Sequence, residues 1–213
     1  YDYFSARSMR KILDCPHVSK LFALSPLLEH AKLVPYPIGP GKIRKSWELF
    51  YADRINERES VEKKPRALAS FNVKKSKWDA ETLETRDLVM GLSKSAWADF
   101  VDVGWAEKGS SFQTFFSRYQ FVISPRGKGI DCYRTWQALH VGSIPIVEAS
   151  TINSLYEYLP IVVVERWTDL SAEILERHLR AFEGNWSTMR WEKLTNGYWK
   201  GLMEQAVQRL NTR

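Results

Sequence analysis

Residues 121–140 read FVISPRGKGIDCYRTWQALH: an apolar run, a short basic segment with two glycines, and a stretch with helical spacing. The apolar run before Ser124 predicts a β-strand, and Asp131 is a candidate N-cap for a helix that continues to about Val141. Glycine permits a sharp turn and a close approach of a ligand to the backbone. The segment therefore predicts a strand and a helix joined by a loop that can receive a ligand.

Short apolar runs alternate with helical stretches from residue 61 to the end of the chain. The alternation predicts strands at 67–71, 98–103, 120–124, 144–147 and 161–164, and helices at 79–93, 110–118, 131–141, 152–158, 171 onward and 187–210. This pattern is typical of a parallel sheet with helices on both faces, and the apolar, β-branched run Ile161–Val164 suits a strand buried on both sides. We therefore predict an α/β, Rossmann-like lobe over residues 61–213, with helices at its C-terminal end.

Residues 1–60 are organised differently and contain two apolar runs that end in turn-forming residues. The runs cover Val18–Leu24 and Lys32–Tyr36, and the second is followed by PIGPG, which is strong turn chemistry. The charged stretch after it includes an amphipathic segment at 47–51 that suits a helix or a linker. We expect these residues to form part of a first lobe with its linker, and the start at Tyr1 suggests a fragment or a processed chain.

The charge balance favours anionic partners. The chain carries 31 Lys and Arg against 25 Asp and Glu, a net charge of +6. Such a balance suits nucleotides, nucleic acid or anionic membrane surfaces, although a basic surface without any such partner accounts for it equally. No apolar stretch is long enough to span a membrane, and Cys15 and Cys132 are too far apart in sequence to indicate a metal motif or a disulfide framework.

The basic segment after the strand has the features of a phosphate site. Ligands of parallel sheets bind at the carboxyl ends of the strands, and the free amides of a helix N-terminus attract phosphate. Arg126, Lys128 and Arg134 add positive charge there, and an arginine can bind two phosphate oxygens. The Walker motif is absent, and the dinucleotide fingerprint fails because Cys132 replaces its third glycine. A diphosphate held without a metal is one interpretation, and a glycine turn with solvated basic residues is the other.

Other polar side chains near this loop have two interpretations each. Asp131 either caps the helix or holds a sugar hydroxyl or a ring nitrogen. Glu148 follows a predicted strand, where it either binds ribose hydroxyls or pairs with a nearby surface cation. Within the helix, Trp136 and Leu139 are expected to face the core, and the lone His140 is interpreted as structural.

Residues 121–147 resemble the signature of the exostosin-type glycosyltransferases and their microbial and viral relatives. Members of that family carry Ser-Pro-Arg-Gly-x-Gly-x-Asp after a strand, then Arg-x-Trp-Glu-Ala-Leu, then Gly-x-Ile-Pro-Ile-Val. This chain has the matching residues Ser124, Pro125, Arg126, Gly127, Gly129, Asp131, Arg134, Trp136, Ala138, Leu139, Gly142, Ile144, Pro145, Ile146 and Val147. Weaker matches, which include Arg86, extend the resemblance over residues 30–180.

The resemblance implies a GT-B fold, of which this chain would supply the second lobe and part of the first. It also implies a nucleoside-diphosphate sugar as donor and a glycan or glycoconjugate as acceptor. We expect Arg126 and Arg134 to be catalytic, because they would stabilise the leaving diphosphate. The other expected donor-binding residues are Ser124, Gly127, Lys128, Gly129, Asp131, Gln137 and Glu148. The family usually has a glutamate in place of Gln137; if that glutamate holds the donor ribose, Gln137 is a neutral substitute or Glu148 takes over the role.

Other functions are compatible with the sequence. Gln137 and the incomplete first lobe favour a non-catalytic nucleotide- or glycan-binding module with the same fold. The α1,3-fucosyltransferases, which use GDP-fucose, have a similar layout, but Arg126-Gly127 replaces their Glu-Asn pair. The basic runs at 42–45 and 74–77 resemble solvated loops without a nucleic-acid motif, so no nucleic-acid partner is expected. No Asp-x-Asp sequence occurs, so no essential metal is expected either.

Overall fold

The computed structural model of the chain describes residues 5–41, 62–73, 79–106 and 112–211. Several predicted features lie outside these ranges: the amphipathic segment at 47–51, the two basic runs, the start of the helix at 110–118, and the lobe boundary at residue 60. The division of the chain at that boundary stays a prediction.

Five strands form a parallel sheet, and two earlier strands form a small parallel sheet of their own. The strands are β1 Leu21–Leu24, β2 Leu33–Tyr36, β3 Lys64–Ala69, β4 Val101–Val103, β5 Tyr119–Ile123, β6 Ile144–Glu148 and β7 Val162–Val164. The α-helices are α1 Ala6–Leu13, α2 Ala80–Lys94, α3 Phe112–Phe116, α4 Tyr133–His140, α5 Asn153–Tyr156, α6 Ala172–Asn185 and α7 Asn196–Asn211. The predicted α/β, Rossmann-like architecture is confirmed.

Successive side chains of the central strands enter two different hydrophobic cores. Phe121 and Ile123 of β5 pack in one core, together with residues of α2 and α6. Val122 lies in the other core, together with Phe116 of α3 and Ala138 of α4. Since neighbouring residues of a strand point to opposite faces, both faces of the sheet are covered by helices.

The strand order of the main sheet is β4-β3-β5-β6-β7. The chain therefore moves from β3 outward to β4 and then returns past β3 to β5, from where it continues in the other direction. The loops that leave the carboxyl ends of β3 and β5 diverge at this topological switch point, and ligands of open α/β sheets bind in the crevice between such loops. We call residues 70–73 and 124–128, which follow β3 and β5, the switch-point loops.

Helix α4 begins two residues later than the sequence indicates. Its N-cap is Cys132, which makes no capping hydrogen bond with its side chain, so the interpretation of Asp131 as the cap is wrong. The carboxylate of Asp131 instead accepts hydrogen bonds from Ile38 and Trp136. Asp131 is 2% exposed, and an unpaired polar group costs more in such a setting than at an exposed helix end, so these donors are favoured over the local amide.

Two predicted elements are shorter than expected because turns interrupt them. The strand predicted at 98–103 begins only at Val101, since hydrogen-bonded turns follow α2 directly. The helix predicted at 187–210 begins only at Asn196. Extended backbone at Thr195, with ψ of 147°, separates it from the short 3-10 turns that precede it.

His140 provides a test of how burial couples to pH. The residue is 7% exposed at the end of α4, and burial lowers the pKa of its imidazole to about 3. Since a histidine in the unfolded chain has a pKa of about 6.5, the unfolded state binds a proton first, and stability is lost as the pH falls below that value. We expect this group alone to reduce the free energy of unfolding by about 2 kcal/mol between pH 6.5 and 5.

The measurement is urea unfolding of the wild type and of His140→Gln at pH 7 and at pH 5. All other groups titrate alike in the two proteins, so the difference in pH dependence isolates His140. The variant should lose less stability than the wild type on acidification, and an identical loss in both would contradict a buried, neutral histidine.

Candidate functional site

Helix α2 is fixed against the loop that follows β5. Asp79 caps this helix by accepting a hydrogen bond from the amide of Thr82 at 2.8 Å, as predicted. The hydroxyl of Thr82 donates to the carbonyl of Gly127 at 3.0 Å. Because α4 starts shortly after the same loop, the N-terminal ends of two helices lie near the switch point, each with a partial positive charge.

Arg86 of α2 joins the two switch-point loops to each other. Its Nη1 donates to the carbonyl of Asn72 at 2.8 Å, and its Nε donates to the carbonyl of Arg126 at 2.6 Å. A longer bond of 3.3 Å runs from Nη2 to the carbonyl of Pro125. The residue is only 3% exposed, so it is a buried cation whose hydrogen-bonding groups hold the loop geometry.

Arg134 lies in the first turn of α4, and its side chain also contacts the switch-point loop after β3. Its Nε donates to the carbonyl of Ser70 at 3.1 Å, and its Nη1 lies 3.9 Å from the sulfur of Cys132. Among the described residues, no carboxylate lies within ion-pair distance of Arg134. Its positive charge is therefore not neutralised by a neighbouring acid in the described part of the chain.

The guanidinium groups of Arg86 and Arg134 share one aromatic neighbour. Each guanidinium lies 5.5 Å from the centre of the ring of Phe71, a residue of the loop after β3. Burial lowers the pKa of both arginines, and repulsion from Arg134 lowers the pKa of Arg86 further. Two like charges beside one aromatic ring create a positive potential, which attracts an anion.

Arg126, which we expected to act together with Arg134, has a different partner. Its Nη1 forms an ion pair with Glu81 in the first turn of α2, and its side chain is 19% exposed against 74% for that of Glu81. Its Nε is buried without a hydrogen-bond partner among the described residues. Arg86 therefore takes the position beside Arg134 that the sequence indicated for Arg126, and its match to the family pattern was the only sequence signal for it.

Glu148 lies at the carboxyl end of β6, as predicted, and has a backbone partner. Its Oε1 accepts a hydrogen bond from the amide of Trp167 at 3.1 Å. Burial raises the pKa of this carboxyl, and the bond to Trp167 and the charge of Arg126 oppose that rise. The position next to Arg126 agrees with the alternative of an acid near a cation, and a contact with ribose stays a prediction.

The loop residues at the end of β5 are largely tied to one another. Ser124 Oγ shares hydrogen bonds with Thr135 Oγ1 at 2.9 Å and with the sulfur of Cys132 at 3.1 Å. The amide of Gly127 donates to the carbonyl of Gly129 at 3.0 Å, so it is occupied. Lys128 is exposed.

The amides that remain available lie one turn further on. Those of Tyr133 and Arg134, in the first turn of α4, have no acceptor within the described ranges. The first turn of a helix is where phosphate is commonly bound.

Asp131 connects this loop to the earlier part of the chain. Its Oδ2 accepts from the amide of Ile38 at 2.7 Å, its Oδ1 accepts from the indole of Trp136 at 2.8 Å, and its own amide donates to Ser25 Oγ at 3.1 Å. Burial raises the pKa of Asp131 to about 6, and these donors oppose the rise. Since the carboxylate is 2% exposed and committed to these donors, the structure gives it a tie between chain segments in place of a contact with a sugar.

Gln137 makes a second tie to the earlier residues. Its Nε2 donates to the carbonyl of Pro40 at 3.0 Å, in the turn predicted from PIGPG. Gly41, with φ of 85°, packs beside the ring of Tyr133 in the same turn. An amide can donate to Pro40, whereas the carboxylate of a glutamate would be repelled by that carbonyl. The difference between Gln137 and the family pattern therefore has a structural consequence here.

No family model matches the sequence, and no curated protein is similar enough to it to count as a match. Within the described ranges, no helix has the length and apolarity needed to cross a membrane. No group of three or more potential metal ligands occurs among the residues that the structure describes.

Proposed function

We propose that this chain is the nucleotide-sugar-binding part of a glycosyltransferase, and that the donor diphosphate binds at the switch point between β3 and β5. The observation that carries the proposal is the placement of Arg86 and Arg134 beside each other at the carboxyl ends of these strands. Arg134 has no carboxylate within ion-pair distance among the described residues, so an anion bound beside it would be attracted by its charge. A diphosphate supplies that anion, and the sugar that it carries would be transferred to a glycan or glycoconjugate.

The proposed chemistry assigns a role to each group. Arg134 would bind phosphate oxygens through its Nη atoms, because its Nε is already used by the carbonyl of Ser70. The first-turn amides of α4 would donate to the same diphosphate. Negative charge builds up on the diphosphate as the bond to the sugar breaks, so fixed donors in a dry site stabilise the transition state more than the ground state. Arg126 would join them by leaving Glu81.

A non-catalytic nucleotide-binding module is the second candidate. Gln137 favours it, because the hydrogen bond to Pro40 occupies this side chain in a structural tie. In such a module the charges at the switch point would hold a nucleotide without transferring its sugar. The two candidates share the binding site and differ in turnover.

Calorimetric titration with UDP, GDP and a short DNA duplex separates these functions, together with a transfer assay. We expect a nucleoside diphosphate to bind with a dissociation constant in the micromolar range and DNA to bind only weakly. Binding without transfer would support the module. Binding of DNA with a steep salt dependence, and of neither nucleotide, would contradict both candidates.

Gly127 offers a further test of where the ligand lies. A Cβ built on Gly127 would lie 3.5 Å from Arg86 Nη2 and 3.9 Å from the Cβ of Cys132, which are ordinary contacts. Gly127→Ala should therefore fold normally, with a free energy of unfolding unchanged or raised by about 0.5 kcal/mol. Its affinity for UDP or GDP should fall by about tenfold, because the methyl group would lie against Arg86, beside the proposed position of the diphosphate.

The control is Gly91→Ala in α2, where a Cβ would meet nothing within 4 Å. This variant should gain stability without any change in affinity. If Gly127→Ala binds nucleotide as tightly as Gly91→Ala does, the diphosphate does not approach the loop at Gly127.

A further inference from the structure

Ser70 presents a buried hydroxyl without a partner. The residue follows β3 directly and is 1% exposed, and its Oγ has no hydrogen-bond partner among the described residues. Removing a hydroxyl from water without giving it a partner costs free energy, and most buried hydroxyls in native proteins are therefore paired. The position consequently needs an explanation beyond the packing of the sheet.

A serine at the same position after the neighbouring strand, Ser124, has a hydrogen-bond partner for its hydroxyl. Ser124 follows β5 as Ser70 follows β3, and the two residues flank the switch point. Ser124 is also buried, at 3% exposed, but its hydroxyl bonds to Thr135 Oγ1 at 2.9 Å. The Ser124 hydroxyl therefore has a partner within the protein, whereas the equivalent hydroxyl of Ser70 has none among the described residues.

The residue that carries this hydroxyl contacts the positive charge of the site through its backbone. The carbonyl of Ser70 itself accepts the hydrogen bond from Arg134 Nε, and the next residue is Phe71, whose ring both guanidinium groups contact. An anion bound to Arg134 at the end of β3 would therefore have a hydroxyl donor at close range. A hydroxyl donating to a charged oxygen forms one of the stronger hydrogen bonds in proteins.

We propose that the Ser70 hydroxyl is a ligand-binding donor, which donates a hydrogen bond to a phosphate oxygen of the diphosphate. The assignment rests on the proposed function, since it takes the diphosphate as the occupant of the switch point. It adds a residue to the site and places one phosphate at the carboxyl end of β3, between Ser70 and Arg134.

Ligand binding at Ser70 requires a movement of neighbouring side chains, because the hydroxyl oxygen is buried. Arg134 is the neighbour best suited to move. Its guanidinium is held to this strand end by the bond to the Ser70 carbonyl, and no carboxylate of the described residues pins it. A phosphate drawing this group toward itself would open the way to the hydroxyl.

The test compares Ser70→Ala with Ser143→Ala. Ser143 is equally buried, at 1% exposed, but it precedes β6 and so lies at the amino ends of the strands. Its Oγ donates to the carbonyls of Phe116 and Tyr119. Melting temperature and the affinities for pyrophosphate, UDP and GDP are measured for both variants and for the wild type. Pyrophosphate is included because it carries the phosphates without the base or the sugar.

The two variants are expected to behave in opposite ways. Ser70→Ala should melt at or above the wild-type temperature, since it removes an unpaired polar group, yet bind pyrophosphate and the nucleotide on the order of tenfold more weakly. Ser143→Ala should melt about 3 °C lower and bind both ligands as the wild type does.

Other results would contradict either the proposed function or the role of Ser70. If the wild type binds neither pyrophosphate nor a nucleoside diphosphate, the proposed function fails and the role of Ser70 fails with it. If the wild type binds them and Ser70→Ala binds them equally well, the role of Ser70 is wrong while the proposed function stands. A loss of nucleotide affinity with unchanged pyrophosphate affinity would contradict the phosphate contact, and a melting temperature as low as that of Ser143→Ala would show a structural hydroxyl.

Discussion

Replacing Arg134 with alanine is expected to reduce sugar transfer by at least a hundredfold while the protein stays folded. The arginine would bind the leaving diphosphate in a site shielded from water, where removal of one such donor costs on the order of 3 kcal/mol in the transition state. Its structural role is small by comparison, because it makes one hydrogen bond to the carbonyl of Ser70 and one long contact with the sulfur of Cys132, and no acid pairs with it among the described residues. The free energy of unfolding should therefore change by no more than about 1 kcal/mol.

Two other variants make this test specific. Arg134→Lys keeps the positive charge and loses the planar fork, so its activity should lie between those of the wild type and the alanine variant. Arg180→Ala removes an exposed arginine of α6 that forms an ion pair with Glu176, and it should be indistinguishable from the wild type. Nucleotide affinity is measured in parallel, so that a chain that binds without transferring is still tested. Near-normal binding and transfer by Arg134→Ala would contradict the proposed site.

Replacing Asp131 with alanine is expected to have the largest effect on stability. The substitution leaves the amide of Ile38 and the indole of Trp136 buried without their acceptor. Each unpaired donor costs about 1–3 kcal/mol, so the free energy of unfolding should fall by about 4 kcal/mol. Denaturant unfolding at pH 7.5, where Asp131 is ionised, measures this loss.

The matched comparisons are Asp131→Asn and Asp87→Ala. The asparagine keeps one acceptor oxygen, so it should retain part of the lost stability. Asp87 is exposed on α2, where truncation should change the free energy of unfolding by less than about 0.5 kcal/mol. If Asp131→Ala is as stable as Asp87→Ala, the carboxylate does not hold the two chain segments together.

The strand, loop and helix at 121–140 could be predicted because their signals are local. An apolar run, two glycines and a helical spacing lie within one short segment, and the structure has β5, a loop and α4 there. The start of α4 could not be predicted, because the competing partner of Asp131 is Ile38, which lies 93 residues away in sequence. Capping rules consider only the neighbours along the chain, and here a distant donor in a buried setting prevails.

The composition of the candidate site depended on topology. Arg126 and Arg134 are close in sequence, which made them the natural pair, yet Glu81 of α2 binds the first and Arg86 of the same helix accompanies the second. This outcome follows from the strand order, which sets α2 and its loop directly beside the loop after β5. The order of strands in a sheet is not encoded in the local pattern of apolar residues. The sequence therefore indicated Arg134 at the carboxyl ends of the strands, but it could not indicate that Arg86 lies beside it.

The most direct test of the account is a crystal structure of the chain soaked with UDP or GDP. We predict density for two linked phosphates at the switch point, with oxygens within hydrogen-bonding distance of the Arg134 guanidinium and of the Ser70 hydroxyl. A nucleotide bound elsewhere on the protein, with no phosphate oxygen within hydrogen-bonding distance of Arg134, would contradict the claim that these charges are arranged for a diphosphate.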